Sequence, residues 1–168
     1  AISGTKDNAL AIVGANLADG SGSQSGAAYL FDVSSGGWAQ IGNKIVGNNT
    51  DATDNFGYSV AISKTSDVSG MAIVGARLAD GSGGDSGAAY LFDVSDGGWV
   101  QKGNTIVGDD TSGGDYFGHS VAISGTLAIV GAPEADKIGN NSGAAYLFDV
   151  SSGGWVQKGN TIVGNNTN

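Results

Sequence analysis

Three aspartates, Asp19, Asp80 and Asp136, hold one equivalent position in the polar stretches LADGSGSQSG, LADGSGGDSG and EADKIGNNSG. Asp85 adds a second carboxylate to the middle stretch alone. Carboxylates set among serine hydroxyls and backbone oxygens are hard ligands, and the cation they would suit is Ca2+. A calcium cage takes roughly six to eight oxygens, so one or two carboxylates per loop make a poor ligand set. An aspartate can equally close its own turn by accepting nearby backbone N–H groups. These four residues are therefore candidate ligand-binding positions. No metal site is assigned, and no cofactor is expected beyond the Ca2+ that such loops could attract. Asp32, Asp93 and Asp149, each ahead of a glycine-rich hairpin, read as turn-formers.

Acid–base and nucleophilic chemistry have less to stand on. The single histidine is His119, and the matching residue of the preceding copy is Tyr58. A general base needs a pKa near the working pH, which tyrosine does not offer. GGDSG at Gly83–Gly87 has the outline of a serine nucleophile turn, but the other copies read GSQSG and GNNSG there. The sequence holds no Ser/His/Asp set, zinc-ligand spacing or phosphate loop. It predicts a protein that is not an enzyme. Sixteen acidic against seven basic residues give a net charge of −9, which repels nucleic acid and anionic membrane surfaces. No apolar run approaches the about 18 residues of a spanning helix, so no membrane insertion is expected. The absence of cysteine excludes a disulfide framework and thiolate metal sites.

The elements that must carry these loops come from a repeat. SGAAYLFDVSDGGWVQKGNTIVG at Ser86–Gly108 recurs at Ser142–Gly164 with only Asp96 changed to Ser152, and an earlier copy spans Ser25–Gly47. Trp38, Trp99 and Trp155 lie 61 and then 56 residues apart, the period of a propeller blade or a helical pair. Glycine and β-branched residues crowd each copy, which argues against helices. The last copy parses into four strands, Tyr116–Ser124, Leu127–Ala132, Ala144–Val150 and Trp155–Gly164, separated by glycine-rich turns. Its second and third strands are nearly continuous apolar runs, as in a sheet buried on both faces between neighbours. The expected architecture is all-β: three four-stranded antiparallel blades over residues 1–50 (its first strand truncated), 51–109 and 110–168.

FGYSVAIS (Phe56–Ser63) and FGHSVAIS (Phe117–Ser124), each followed by AIVGA, resemble the FG-GAP repeat of the β-propeller head of integrin α chains. The third copy carries the pattern through Gly131-Ala132-Pro133, whereas the second has Arg77 and the first Asn16 in place of the proline. The resemblance spans essentially the whole chain and implies four-stranded blades, usually in a closed ring of about seven. Integrin relatives bind calcium in a D-x-D-x-D-G-x-x-D loop between the first and second strands. The matching loops here, Ser3–Ala9, Ser63–Gly70 and Ser124–Thr126, lack those alternating carboxylates, so the resemblance carries no calcium site over. Three blades fall below the roughly four to eight that close a propeller. The copies are thus expected to be part of a larger repeat protein or of an assembly.

The function expected is a non-enzymatic extracellular or cell-surface module for protein–protein binding, adhesion or structural assembly. Its acidic loops and the linkers GNNTDATDN and GDDTSGGDY would share one face and favour basic protein surfaces or cations. The alternatives are a lectin-like propeller stacking glycans on Trp38, Trp99 and Trp155, or an accessory propeller of a secreted enzyme. Blade-to-blade packing is the competing role for those tryptophans. Asn48, Asn140 and Asn165 open N-x-[ST] patterns and are candidate N-glycosylation positions.

Overall fold

The computed structural model describes residues 1–34, 36–66, 69–95, 98–152 and 154–165. Among them the chain is all-β, in three four-stranded antiparallel sheets. The first holds β1 (Ile2–Thr5), β2 (Asn8–Ala15), β3 (Ala27–Asp32) and β4 (Ala39–Ile45). The second holds β5 (Phe56–Ser66), β6 (Ser69–Ala76), β7 (Ala88–Asp93) and β8 (Val100–Ile106). The third holds β9 (Ser120–Ser124), β10 (Leu127–Ala132), β11 (Ala144–Asp149) and β12 (Val156–Gln157). Within each sheet the strands lie in sequence order, as in a propeller blade.

The apolar runs are continuous because both faces of the middle blade are covered. On one face Ala72, Val74, Tyr90 and Phe92 pack with Ile12, Leu30 and Ile45 of the first blade. On the other, Ile73, Leu91 and Ile106 pack with Val130, Tyr146 and Phe148 of the third. Each interface thus sets an aliphatic face against an aromatic one. Among the described residues the outermost faces have no such cover: Val13 is 50% exposed and Trp38 is 76% exposed.

Phe-Gly joins one blade to the next. Phe56 N–H donates to Ser25 O at 2.9 Å and Phe117 N–H to Ser86 O at 2.8 Å, each in the preceding blade. Both phenylalanines are fully buried. The backbones behind them touch: a Cβ on Gly14 would stand 1.9 Å from Gly57 O, and one on Gly75 would stand 2.0 Å from Gly118 O. The glycines of FG and of VGA are therefore one steric device, paired across each junction.

Three strands of the last blade differ from the sequence expectation, the third only in ending at Asp149 rather than Val150. The first strand of the last blade begins at Ser120 rather than Tyr116, because Phe117 bridges Gly87 of the middle blade instead of its own sheet. The outermost strand, expected over Trp155–Gly164, is regular only at Val156–Gln157, with one further bridge between Ala145 and Ile162. In the other blades the outermost strand is held by the next tryptophan: Trp99 Nε1–H donates to Asn43 O at 3.2 Å and Trp155 Nε1–H to Asn104 O at 3.1 Å.

Candidate functional site

The acidic loops and the linkers meet at one end of the blades. The linker between β4 and β5 is pinned on one side to the first blade, where Ser21 Oγ and Thr50 Oγ1 lie 2.6 Å apart and Thr53 N–H donates to Ser23 O at 3.0 Å. On its other side Asp54 O accepts Leu78 N–H of the middle blade at 3.2 Å. Thr53 and Asn55 take positive φ, 72° and 58°, which turns the linker from the outermost strand to the innermost. Two polar segments from different blades are thereby held against one another.

Between this linker and the middle loop lies a cavity of about 400 Å³, lined by Asp51, Asp54, Asp80, Asp85, Tyr90 and Thr105 among others. Asp54 is only 7% exposed, and its Oδ2 accepts Asp51 N–H at 2.8 Å. Burial pushes the Asp54 carboxyl above the usual carboxylate range, the Asp51 N–H opposes this, and the charges of Asp51, Asp80 and Asp85 add to the rise. Burial also pushes the Tyr90 hydroxyl up to about 12, so it faces the cavity as a neutral group at pH 7. Among the described residues no lysine or arginine forms an ion pair with these four aspartates.

The sequence-predicted aspartates sit in matching turns. Asp19, Asp80 and Asp136 each accept, through Oδ1, the backbone N–H five residues on: Gln24 at 2.9 Å, Asp85 at 3.0 Å and Asn141 at 2.6 Å. The donors all take positive φ, between 51° and 52°. One oxygen of each aspartate thus closes its loop. Of the four candidates, Asp80 and Asp85 share a cavity, while Asp19 and Asp136 belong to other blades. Asp51 and Asp54 were not singled out by the sequence, although the acidity of their linker was the available signal.

The third blade repeats the arrangement with several changes, among them Asp110 for Asn49, Ser112 for Asp51, Asn141 for Asp85 and Lys137 for Gly81. Asp115, the counterpart of Asp54, is 5% exposed. Lys137, at the position of Gly81, places Nζ 3.5 Å from Asp110 Oδ1 and 3.8 Å from Asp115 Oδ2, and donates to Asp110 O.

The remaining chemical candidates have structural partners. His119 Nε2 lies 3.4 Å from Tyr58 Oη, and Arg77 stacks 4.4 Å from the Tyr58 ring centroid. Ser86 of GGDSG is fully buried and its Oγ accepts Ser82 N–H at 2.7 Å, which makes it a turn residue. Asn48, Asn140 and Asn165 are exposed, though the other two residues of the last pattern, 166 and 167, lie outside the described residues.

The donor set does not fit an integrin-type calcium loop. The β1–β2 and β9–β10 turns hold two residues each, Lys6-Asp7 and Gly125-Thr126. Residues 67 and 68, between β5 and β6, are outside the described residues. In the acidic cavity the carboxylates are dispersed: among the described residues no three acidic or imidazole groups converge on one point.

Residues 38–92 and 99–148 match the FG-GAP repeat. The chain belongs to the FG-GAP repeat family. Each FG-GAP match starts in the outermost strand region of one blade and ends in the third strand of the next, so the family's sequence unit straddles a blade junction. The first match therefore contains both walls of the acidic cavity. A search of curated proteins finds no match to the chain.

Proposed function

We propose that this FG-GAP chain is a non-enzymatic binding module of an extracellular or cell-surface β-propeller, taking a basic protein surface at its loop end. The observation that carries the reading is the cavity between linker and middle loop, where Asp51, Asp80 and Asp85 surround the buried Asp54 and, among the described residues, none of the four forms an ion pair. Loops on a rigid sheet scaffold are the usual place for recognition, and a cluster of one sign favours partners of the other. The family supports an extracellular setting, and no helix among the described residues is long and apolar enough to cross a membrane. A glycan-stacking role has less support, because Trp99 and Trp155 use their indole N–H groups on the neighbouring blade.

The test compares binding to a lysine-rich surface and to a sulfated glycan surface over a salt series. Replacing Asp51, Asp80 and Asp85 by Asn should lower binding to the lysine-rich surface about tenfold or more, the scale of lost charge-assisted contacts. Removing equal charge at Asp7, Asp109 and Glu134 should lower it far less. Equal losses in the two triple variants, or preference for the sulfated surface, would contradict the proposal.

A further inference from the structure

In each outer blade a lysine ammonium is tethered at the acidic loop. In the third blade it comes from Lys137, in the loop between β10 and β11, and meets Asp110 and the buried Asp115. In the first blade it comes from Lys44, on β4, and donates to Asp19 O at 2.8 Å and Gly20 O at 2.9 Å. The two lysines occupy different positions of the repeat, so a shared sequence position does not explain the coincidence. The middle blade has Gly81 where the third has Lys137, and Thr105 where the first has Lys44. Among the described residues its pocket has no such group, yet it keeps the buried carboxylate, Asp54, and adds Asp51 and Asp85. Ala52, Leu78 and Ala79 line the same cavity and would cover an alkyl stem.

We infer that the open pocket of the middle blade takes the ammonium of a lysine side chain presented by a protein partner, the same chemical group that the chain itself places at the acidic loops of the other two blades. This rests on the reading of the chain as a binding module and names the group bound. Dispersed carboxylates with carbonyl oxygens suit an –NH3+ with three separate donors better than a metal ion that needs its ligands converged.

The probe is Nα-acetyl-lysine methylamide, followed through the backbone amide resonances of the whole chain. Saturable shifts are expected at Asp51, Thr53, Asp54, Gly81 and Asp85, and none with the Nε-acetylated analogue. Thr105→Lys, which reproduces the first blade, should weaken the response about tenfold or more. Gly81→Lys is the less suitable variant, because a Cβ there would lie 2.5 Å from Gly87 O. Lys137→Ala should create a second responsive site at Asp110 and Asp115, a gain that misfolding cannot mimic. Shifts spread evenly over all acidic residues, an undiminished response in Thr105→Lys, or no new site in Lys137→Ala would overturn the inference. So would saturation by Ca2+ without competition from the lysine probe, or much tighter binding of a free diamine, which would assign the pocket to a small molecule. If the probe fails while the intact chain still prefers lysine-rich over sulfated surfaces, this pocket is wrong and the binding module stands.

Discussion

Phe117→Ala is expected to lower the stability of the chain by about 3–5 kcal/mol, the usual cost of truncating a fully buried phenylalanine. The ring is 0% exposed and makes edge contacts with Tyr146 at 5.3 Å and Phe148 at 6.1 Å. Its neighbours are held by sheet hydrogen bonds and cannot collapse into the space. The loss should fall on one junction, because stacked repeats depend on nearest-neighbour interfaces. In guanidinium unfolding followed by tryptophan fluorescence, the Trp155 environment should be lost before that of Trp99. A single unshifted transition would show that Phe117 does not couple the blades.

Gly57→Ala should be at least as damaging to the other junction. Gly57 has φ +86°, where an L side chain is strained, and its Cβ would stand 2.3 Å from Ala27 O in the first blade. A clash with backbone cannot be relieved by a rotamer change, so the blades must separate. The expected cost is about 3 kcal/mol or more, in the range reserved for strain at a special backbone position. Gly36→Ala is the matched control. It has φ +80° but nothing within 4 Å of the added Cβ. Only the conformational cost remains there, about 1–2 kcal/mol. Comparable losses in the two variants would mean that backbone preference, and not contact between blades, explains the conserved spacing of glycines across the copies.

Much of the fold was legible in the residues because the repeat prints each strand three times. AIVGA and AAYLFD became β2, β6 and β10, and β3, β7 and β11, with register Val13↔Tyr29, Val74↔Tyr90 and Val130↔Tyr146. The position of the tryptophans after the hairpin suggested packing between blades, and Trp99 and Trp155 make it. What stayed hidden lies across junctions. Phe117 looks like the start of its own blade's strand, but its N–H belongs to the preceding blade, 31 residues back at Ser86. The acidic cavity has the same character. Asp54 and Asp80 come from separate loops, and their meeting depends on how one blade stacks on the next. The exchange of Gly81 for Lys137 is plain in the sequence, but its consequence requires knowing that Asp110, 27 residues earlier, faces the same space.

That stacking is also what places Asp54, two residues before Phe56, at the floor of the cavity. The most direct measurement is therefore native-state amide hydrogen exchange at Phe56 and Phe117. Both amides should exchange in the slowest class, with those of Ile73 and Leu91 in the middle sheet, since each is bonded across a dry junction. Exchange of either amide at the rate of an open hairpin residue such as Gly36 would contradict the junctions described, and with them the walls of the acidic cavity.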